Sequence, residues 1–359
     1  MTVLLFIVGL AILIGGAELF LRAVDKFGAA WSVSPVVMGL TVVAFATGAP
    51  ELAISLQAAV DGKPDLVLGN ILGSNIANIL LILGIAGLVQ PLKITNRIIK
   101  VDVPMVIIAS TLLFVLAIDG LLSPLDGGII FMGLILYSIF MYFQIQKDRK
   151  NNKRKKAEEE VKLDEPITTF FYGKYILMLL AGLVLIVLGS RWMVASAVEI
   201  AGILGISELI IGLTIVSIGT SLPEVATSVA AVRHGDSDTA VANVMGSNLY
   251  NILLTLSLTV LIAPGAIDVS PEAIKLDLPI MLIVAVACLP LFWPGKELGR
   301  KEASGFLFYY AAYLTYLVFL AMQHPFKETM EMIMIWGIFP ITAFLIILKF
   351  IFEFRKKRL

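Results

Sequence analysis

The sequence predicts an all-α polytopic membrane protein: two inverted five-helix repeats plus one extra C-terminal transmembrane helix, about eleven spans in all. Three observations carry that expectation. The 359 residues are 59% hydrophobic and 15% charged, with a mean hydropathy of +0.95. Apolar runs recur from end to end, each long enough to cross about 30 Å of hydrocarbon. Lys and Arg gather in alternate connecting loops, and motifs of the first half return 173 residues later in the second.

The expected spans are 2–24, 34–60, 65–89, 101–118, 126–145, 172–200, 207–232, 238–262, 274–292, 303–322 and 331–351. The first follows Met1 with no basic segment or small-residue cleavage site, which reads as a retained helix. The second and seventh each carry a Pro followed by a Glu. The third and eighth carry a Gly-Ser-Asn motif, and the fourth and ninth open on "IKVDVP" (99–104) and "IKLDLP" (274–279). A dense basic stretch, "QKDRKNNKRKK", follows the fifth, and the eleventh stands outside the repeat. The implied division is a first repeat over 1–145, a charged loop over 146–171, a second repeat over 172–322, and an added helix with a basic tail over 323–359.

Orientation follows from the basic loops, because Lys and Arg favour the cytoplasmic side. The stretch after the fifth span fixes that loop as cytoplasmic. Alternation then puts Arg22 and Lys26, Lys93 with Arg97 and Lys100, Arg233, Lys296 with Arg300 and Lys301, and the terminal "RKKR" on the same side. Asp61, Asp65, Asp119, Asp126, Asp268 and Glu272 fall on the other. The expectation is a multi-pass protein of the cell (plasma or inner) membrane, with its N-terminus outside and its C-terminus in the cytoplasm. A single Cys, Cys288, excludes a disulfide framework and a multi-Cys metal site.

The repeat is explicit. "VVMGLTVVAFATGAPELAISL" (36–56) aligns with "LIIGLTIVSIGTSLPEVATSV" (209–229), and "VLGNILGSNIANILLILG" (67–84) with "ANVMGSNLYNILLTLS" (242–257). Pro50/Pro223, Glu51/Glu224, Ser74/Ser247 and Asn78/Asn251 share the one offset of 173. A repeat of five spans is odd, so its two copies insert with opposite orientation, an architecture of transporters.

Each copy buries polar groups that hydrocarbon penalises by several kcal/mol when unpaired. Mid-span Pro50 and Pro223 remove a backbone donor and break the helix, which membranes tolerate only inside protein or beside a polar cavity. Next to each break stands a carboxylate, one turn after Thr47 or Thr220. Ser74 and Asn78 are four apart and share a helix face, as do Ser247 and Asn251. Inverted, these faces can converge into one all-oxygen cluster, which suits hard cations such as Na⁺ and Ca²⁺ rather than soft metals.

Other residues take plainer readings. Gly69 and Gly73 read as tight helix packing, and isolated Ser and Thr as bonding to their own helix. Glu18 reads as pairing locally or snorkelling, Asp102 and Asp277 as helix starts or caps, and His234 and His324 as solvated loop residues. The acidic run "AEEEVKLDE" (157–165) reads as a linker.

"ATGAPE" (46–51) with "GSNIAN" (73–78), and "GTSLPE" (219–224) with "GSNLYN" (246–251), resemble the two α-repeats of the sodium/calcium exchanger family, within the calcium:cation antiporters. The resemblance extends to about residue 322. It implies a prokaryotic-type secondary antiporter that couples Na⁺ entry to Ca²⁺ extrusion by alternating access, and not an enzyme. By match to the motif, Thr47, Glu51, Thr220 and Glu224 would form the Ca²⁺ site. Ser74, Ser247, Ser221 and backbone carbonyls near Ala44 and Ser217 would form flanking Na⁺ sites, and Asn78 and Asn251 would line the middle. The implied partners are Ca²⁺ and Na⁺ as substrates and the lipid bilayer. No cofactor, nucleic acid or protein partner is implied.

The chain departs from the motif in three places. Gly48 stands where the motif usually has Ser, Ala242 where it has Gly, and Asn251 where some K⁺-dependent relatives carry Asp. An H⁺/Ca²⁺ or other divalent cation antiporter is the alternative, using the same carboxylates as proton carriers, although Asn70 and Asn243 are followed by "ILGS" and "VMGS" rather than an early Glu. A cation channel would more often assemble subunits around an axis than repeat internally. A membrane hydrolase would need a nucleophile–base or metal set, and both His lie outside the spans.

Overall fold

The computed structural model describes residues 2–158, 168–204 and 217–356, and nearly all of them are helical. The first half runs α1 (Thr2–Trp31), α2 (Pro35–Thr47), α3 (Ala49–Val60), α4 (Pro64–Val89), α5 (Ile98–Ala117) and α6 (Pro124–Glu158). The second runs α7 (Thr169–Ile203), α8 (Ser217–Thr220), α9 (Leu222–Arg233), α10 (Ser237–Ile262), α11 (Ala273–Phe292), α12 (Arg300–Ala321) and α13 (Phe326–Phe350). Nine of these helices are long and apolar enough to cross a membrane, and α2 with α3 makes a tenth bent by 43°. The protein is thus an all-α polytopic membrane protein with nine or ten crossings among the described residues. The expected seventh span, 207–232, begins in residues outside them, as does most of the acidic run at 157–165.

Local chemistry sets the helix ends. The Asp126 carboxylate accepts from the Ser123 amide at 2.8 Å and hydroxyl at 2.6 Å, while the Asp126 amide donates back to the Ser123 hydroxyl at 3.3 Å. This is a reciprocal cap. Thr168 caps α7 by accepting from the Phe171 amide at 3.2 Å, and Asp236 caps α10 by accepting from the Thr239 amide at 2.9 Å. The expected loop from 146 begins later, because α6 continues to Glu158. Its Lys, Arg, Gln and Glu are good helix formers and nothing there breaks the pattern.

Two expected caps are corrected. Asp102 and Asp277 lie inside α5 and α11, which begin at Ile98 and Ala273 with a π-helical turn. Asp102 is fully buried 3.7 Å from the Arg97 guanidinium, and Asp277 accepts from the Tyr313 hydroxyl at 2.7 Å. Further π-helical turns at Asn78–Ile82 and Asn251–Leu256 are also repeat-related. A π-turn is most common at functional positions.

The two halves interlock with two-fold reciprocity. Leu92–Lys93, after α4, pairs with Glu297–Leu298, before α12. Leu121–Leu122, before α6, pairs with Ile267–Asp268, after α10. In each ribbon the partners come from loops that the charge pattern assigns to the same membrane face. α1 and α7 cross at Gly9, Gly16, Gly182 and Gly189, where any Cβ would lie 3.0 Å or less from the partner's backbone. Gly9/Gly182 and Gly16/Gly189 keep the offset of 173.

The core is formed by α4 and α10, which are mostly buried, with the other helices around them. α10 also packs closely on α2. A Cβ on Gly39 would meet Ala242 at 2.8 Å, and one on Gly246 would meet Ala44 at 2.7 Å. Among the described residues nothing lies within 4 Å of a Cβ built on Gly69 or Gly73. The close packing expected there is found at their counterparts, Ala242 and Gly246. Among its described side chains α13 has none that is buried. It leans on α12 through Phe339 stacked on Tyr309 and through a short Lys349–Glu302 ion pair.

Candidate functional site

Each half brings its carboxylate to the core on a broken helix. Pro50 sits at the second position of α3, where its lack of an N–H leaves no unpaired donor at the helix start, and the chain turns at Gly48 between α2 and α3. Pro223 and Ser221 do the same between α8 and α9. Glu51 and Glu224 therefore stand in the first turn of α3 and α9, where the helix N-terminus favours negative charge. They are 2% and 1% exposed, and close enough for Glu51 to feel the charge of Glu224.

The halves meet around them. The Thr47 hydroxyl lies within reach of the Glu224 carboxylate and donates to the Val43 carbonyl at 3.1 Å. The Ser221 hydroxyl approaches that of Ser74 at 3.5 Å. Asn78 donates to the Asn248 side chain at 2.9 Å, and Asn248 donates to the Asn75 carbonyl at 3.3 Å. Ser247 and Asn251 are buried on α10, Thr220 is half-buried on α8, and Ala44 is fully buried on α2. The Ala44 carbonyl accepts from the Gly48 amide at 3.1 Å, which leaves it one lone pair. Of Ser217, at the start of α8, only the backbone is described.

Several buried acceptors here lack a hydrogen-bond donor among the described residues: Glu51 Oε2, Glu224 Oε2, Asn78 Oδ1 and the Ser247 hydroxyl. Leaving such groups unpaired costs about 1–3 kcal/mol each, and more for charged ones. Carboxylate, amide and hydroxyl oxygens without donors are the chemistry of a site for a hard cation. Among the described residues no group of three or more His, Cys, Asp or Glu could hold a metal ion, and what converges here is two carboxylates with neutral oxygens.

Supporting residues outside the expected set keep the same symmetry. Asn70 donates to the Glu51 carbonyl at 3.1 Å and the Ser55 hydroxyl at 2.9 Å. Asn243 donates to the hydroxyls of Thr227 at 3.1 Å and Ser228 at 3.0 Å. Both Asn tie the helix after the break to the helix that follows, and Ser55 and Ser228 are again 173 apart. That offset was the signal available for them. His234 is exposed just after α9, as expected, but it is not merely solvated. Its Nε2 lies 2.7 Å from a Glu18 carboxylate oxygen, joining α1 to the end of α9. Glu18 thus pairs with the opposite half rather than locally. His324 is exposed, stacked on Phe319, and accepts from the Phe326 amide.

Fold and sequence together describe a polytopic membrane protein whose two repeats meet at one oxygen-lined centre. The "Sodium/calcium exchanger protein" family matches residues 1–146 and 174–319, two segments offset by the same 173 residues as the motifs. The chain belongs to this family of exchanger-type antiporters, which are transporters and not enzymes. It is 34% identical over 317 residues to the inner membrane protein YrbG of Escherichia coli (strain K12), covering 86% of this chain and 95% of that protein. It is 30% identical over 347 residues to the sodium/calcium exchanger MaX1 of Methanosarcina acetivorans, covering 88% and 98%. A solved structure of the sodium-calcium exchanger NCX_Mj, soaked with Na⁺ and Sr²⁺, superposes with a TM-score of 0.72 at 27% identity, covering 86% of this chain and 96% of that one.

Proposed function

We propose that the protein exchanges Na⁺ for Ca²⁺ by alternating access at a midplane site centred on Glu51 and Glu224. One observation carries the reading: two carboxylates, one from each half, are buried within electrostatic range of each other, each with an oxygen that no donor among the described residues satisfies. Ca²⁺ neutralises the pair's two charges. Thr47 and Thr220 complete its shell. Na⁺ is held beside it by Ser74 with Ser221, by Ser247, and by carbonyls near Ala44 and Ser217, with Asn78 and Asn251 lining the middle. Na⁺ ions neutralise the same carboxylates, so the two cations compete. Competition at one centre opened alternately to each face is sufficient for exchange, and it needs no cofactor.

The repeat division 1–145 and 172–322, linked by 146–171 and followed by 323–359, belongs to this reading. So do placement in the cell membrane, an external N-terminus and a cytoplasmic C-terminus. Cysteines introduced at Thr2 and Lys153 should label from opposite sides, with the buried Cys288 silent. Labelling of both from one side would remove the inverted repeat.

The functional test is counterflow of labelled Ca²⁺ in vesicles, with and without a Na⁺ gradient. Acceleration by Na⁺ is expected. Acceleration by a proton gradient alone would make the protein an H⁺/Ca²⁺ antiporter. Downhill Ca²⁺ flux without counter-ion would make it a channel.

A further inference from the structure

A helix-breaking proline leaves a debt one turn behind it: the carbonyl four residues earlier loses its donor. For Pro223 that carbonyl is Gly219, inside α8 and one residue before Thr220. In a membrane such a carbonyl needs another partner. It has one: the Ser190 hydroxyl of α7 donates to Gly219 O at 3.0 Å, and Ser190 is itself 6% exposed. The donor comes from outside the site-bearing helices, since α7 packs chiefly on α1. A Cβ on Gly219 would press on Val194, one turn further along α7, so the hinge is seated on this helix by shape as well.

The first half is built differently. Ala17 occupies the position equivalent to Ser190, fully buried and without a hydroxyl, while Pro50 removes the donor of the Ala46 carbonyl. In the same half Gly48 replaces the hydroxyl of Ser221. Both hydroxyls at the break are therefore present in one repeat and absent from the other.

We infer that Ser190 is a positioning residue for the cation site: by holding the Gly219 carbonyl it fixes the Gly219–Thr220–Ser221 backbone, and so sets where the Ser221 hydroxyl stands for Na⁺. Ser190 itself touches no ion. The inference rests on the Na⁺/Ca²⁺ reading of the site. Its effect falls on Na⁺ more than on Ca²⁺: Thr220 also lies in the held segment, but the other three Ca²⁺ ligands, Glu51, Thr47 and Glu224, stand outside it, whereas Ser221 serves Na⁺ from within it.

The experiment measures Ca²⁺/Ca²⁺ counterflow in vesicles and its inhibition by added Na⁺, for wild type, Ser190→Ala, Ser190→Thr and Ala17→Ser. A net hydrogen bond of about 1 kcal/mol corresponds to about fivefold in an equilibrium constant. Ser190→Ala should raise the Na⁺ concentration for half-inhibition by about that factor, with less than about a twofold change in half-saturating Ca²⁺. Ser190→Thr, which keeps the hydroxyl, should restore it, and Ala17→Ser should leave the Ser221 side unchanged. A wild-type Na⁺ response that Ser190→Ala leaves intact overturns this inference alone. Equal weakening of both ions together with a lowered melting temperature makes Ser190 merely structural and also overturns it. Absence of any Na⁺ response in wild type overturns the sodium reading, and this inference with it.

Discussion

At their shared centre the two repeats agree in the carboxylates and differ in two hydroxyls at the breaks. Glu51 and Glu224 occupy matching places after matching prolines, both nearly fully buried, and each keeps an oxygen without a donor. Asn70 and Asn243 clamp the two breaks through one equivalent partner each, Ser55 and Ser228, and differ in the second, the Glu51 carbonyl against the Thr227 hydroxyl. At the breaks the match stops: the second half has Ser221 and Ser190, and the first has Gly48 and Ala17. A lost carboxylate changes the charge a cation must balance. A lost hydroxyl removes one neutral ligand, which water or a carbonyl can replace. Two-fold symmetry is thus kept where nothing can substitute.

Breaking the shared part should have the largest effect. Glu51→Gln or Glu224→Gln leaves one negative charge where the ion brings two, in a low-dielectric setting that magnifies the imbalance. Ca²⁺ transport should fall to background in either variant, while membrane insertion and melting temperature stay near wild type. Near-normal exchange by either variant would make that Glu structural.

Much of this was legible in the sequence, for physical reasons. Span length and loop charge follow from bilayer thickness, and a mid-span Glu beside a Pro has few bland readings. What stayed hidden depends on where a partner lies in space. Pro223 announced a freed carbonyl, but nothing in the sequence pointed to Ser190 as its donor. Glu18 and His234 are separated by most of the chain, so their contact was not readable from either neighbourhood. Asp102 and Asp277 read as helix starts or caps from the cap preference of Asp. The π-turns start the helices four residues before each Asp instead.

The next largest effect tests the unequal part. Ser221→Gly makes the second half resemble the first, and it should raise the Na⁺ concentration needed for exchange by roughly tenfold, about 1.4 kcal/mol. Gly48→Ser should lower that concentration or change it little, since it supplies the missing hydroxyl while its Cβ, 3.1 Å from the Ala44 carbonyl, makes that carbonyl give by a few tenths of an ångström. Ca²⁺ affinity should move less in both. Sodium titrations of exchange decide it, and an unchanged response in Ser221→Gly would remove Ser221 from the sodium ligands.

A smaller and symmetric effect is expected at the clamps. Asn70→Ala and Asn243→Ala each remove two hydrogen bonds, and polar contacts between membrane helices contribute about 0.6–2 kcal/mol. Both variants should melt a few degrees lower, by similar amounts. A drop confined to one would show that the halves differ in stability as well as in ligands.

The smallest effect belongs to Glu18 and His234, whose counterparts by the repeat offset are Arg191 and Asp61, so this link exists in one half only. The imidazole and carboxylate are partly exposed, and exposed pairs contribute little to stability. The contact nevertheless joins α1 to the end of the helix that carries Glu224, so its consequence should be kinetic. If α1 moves relative to α9 during alternation, this pair must open once per cycle, and removing it should change the rate of Ca²⁺ counterflow while leaving ion affinities alone. His234→Gln, which keeps a donor, should exchange within about twofold of wild type, and His234→Leu should depart further. Equal rates in wild type and His234→Leu, at matched protein in the vesicles, would mean that α1 and α9 move as one body, and the unequal hydroxyls at the breaks would then remain as the functional difference between the halves.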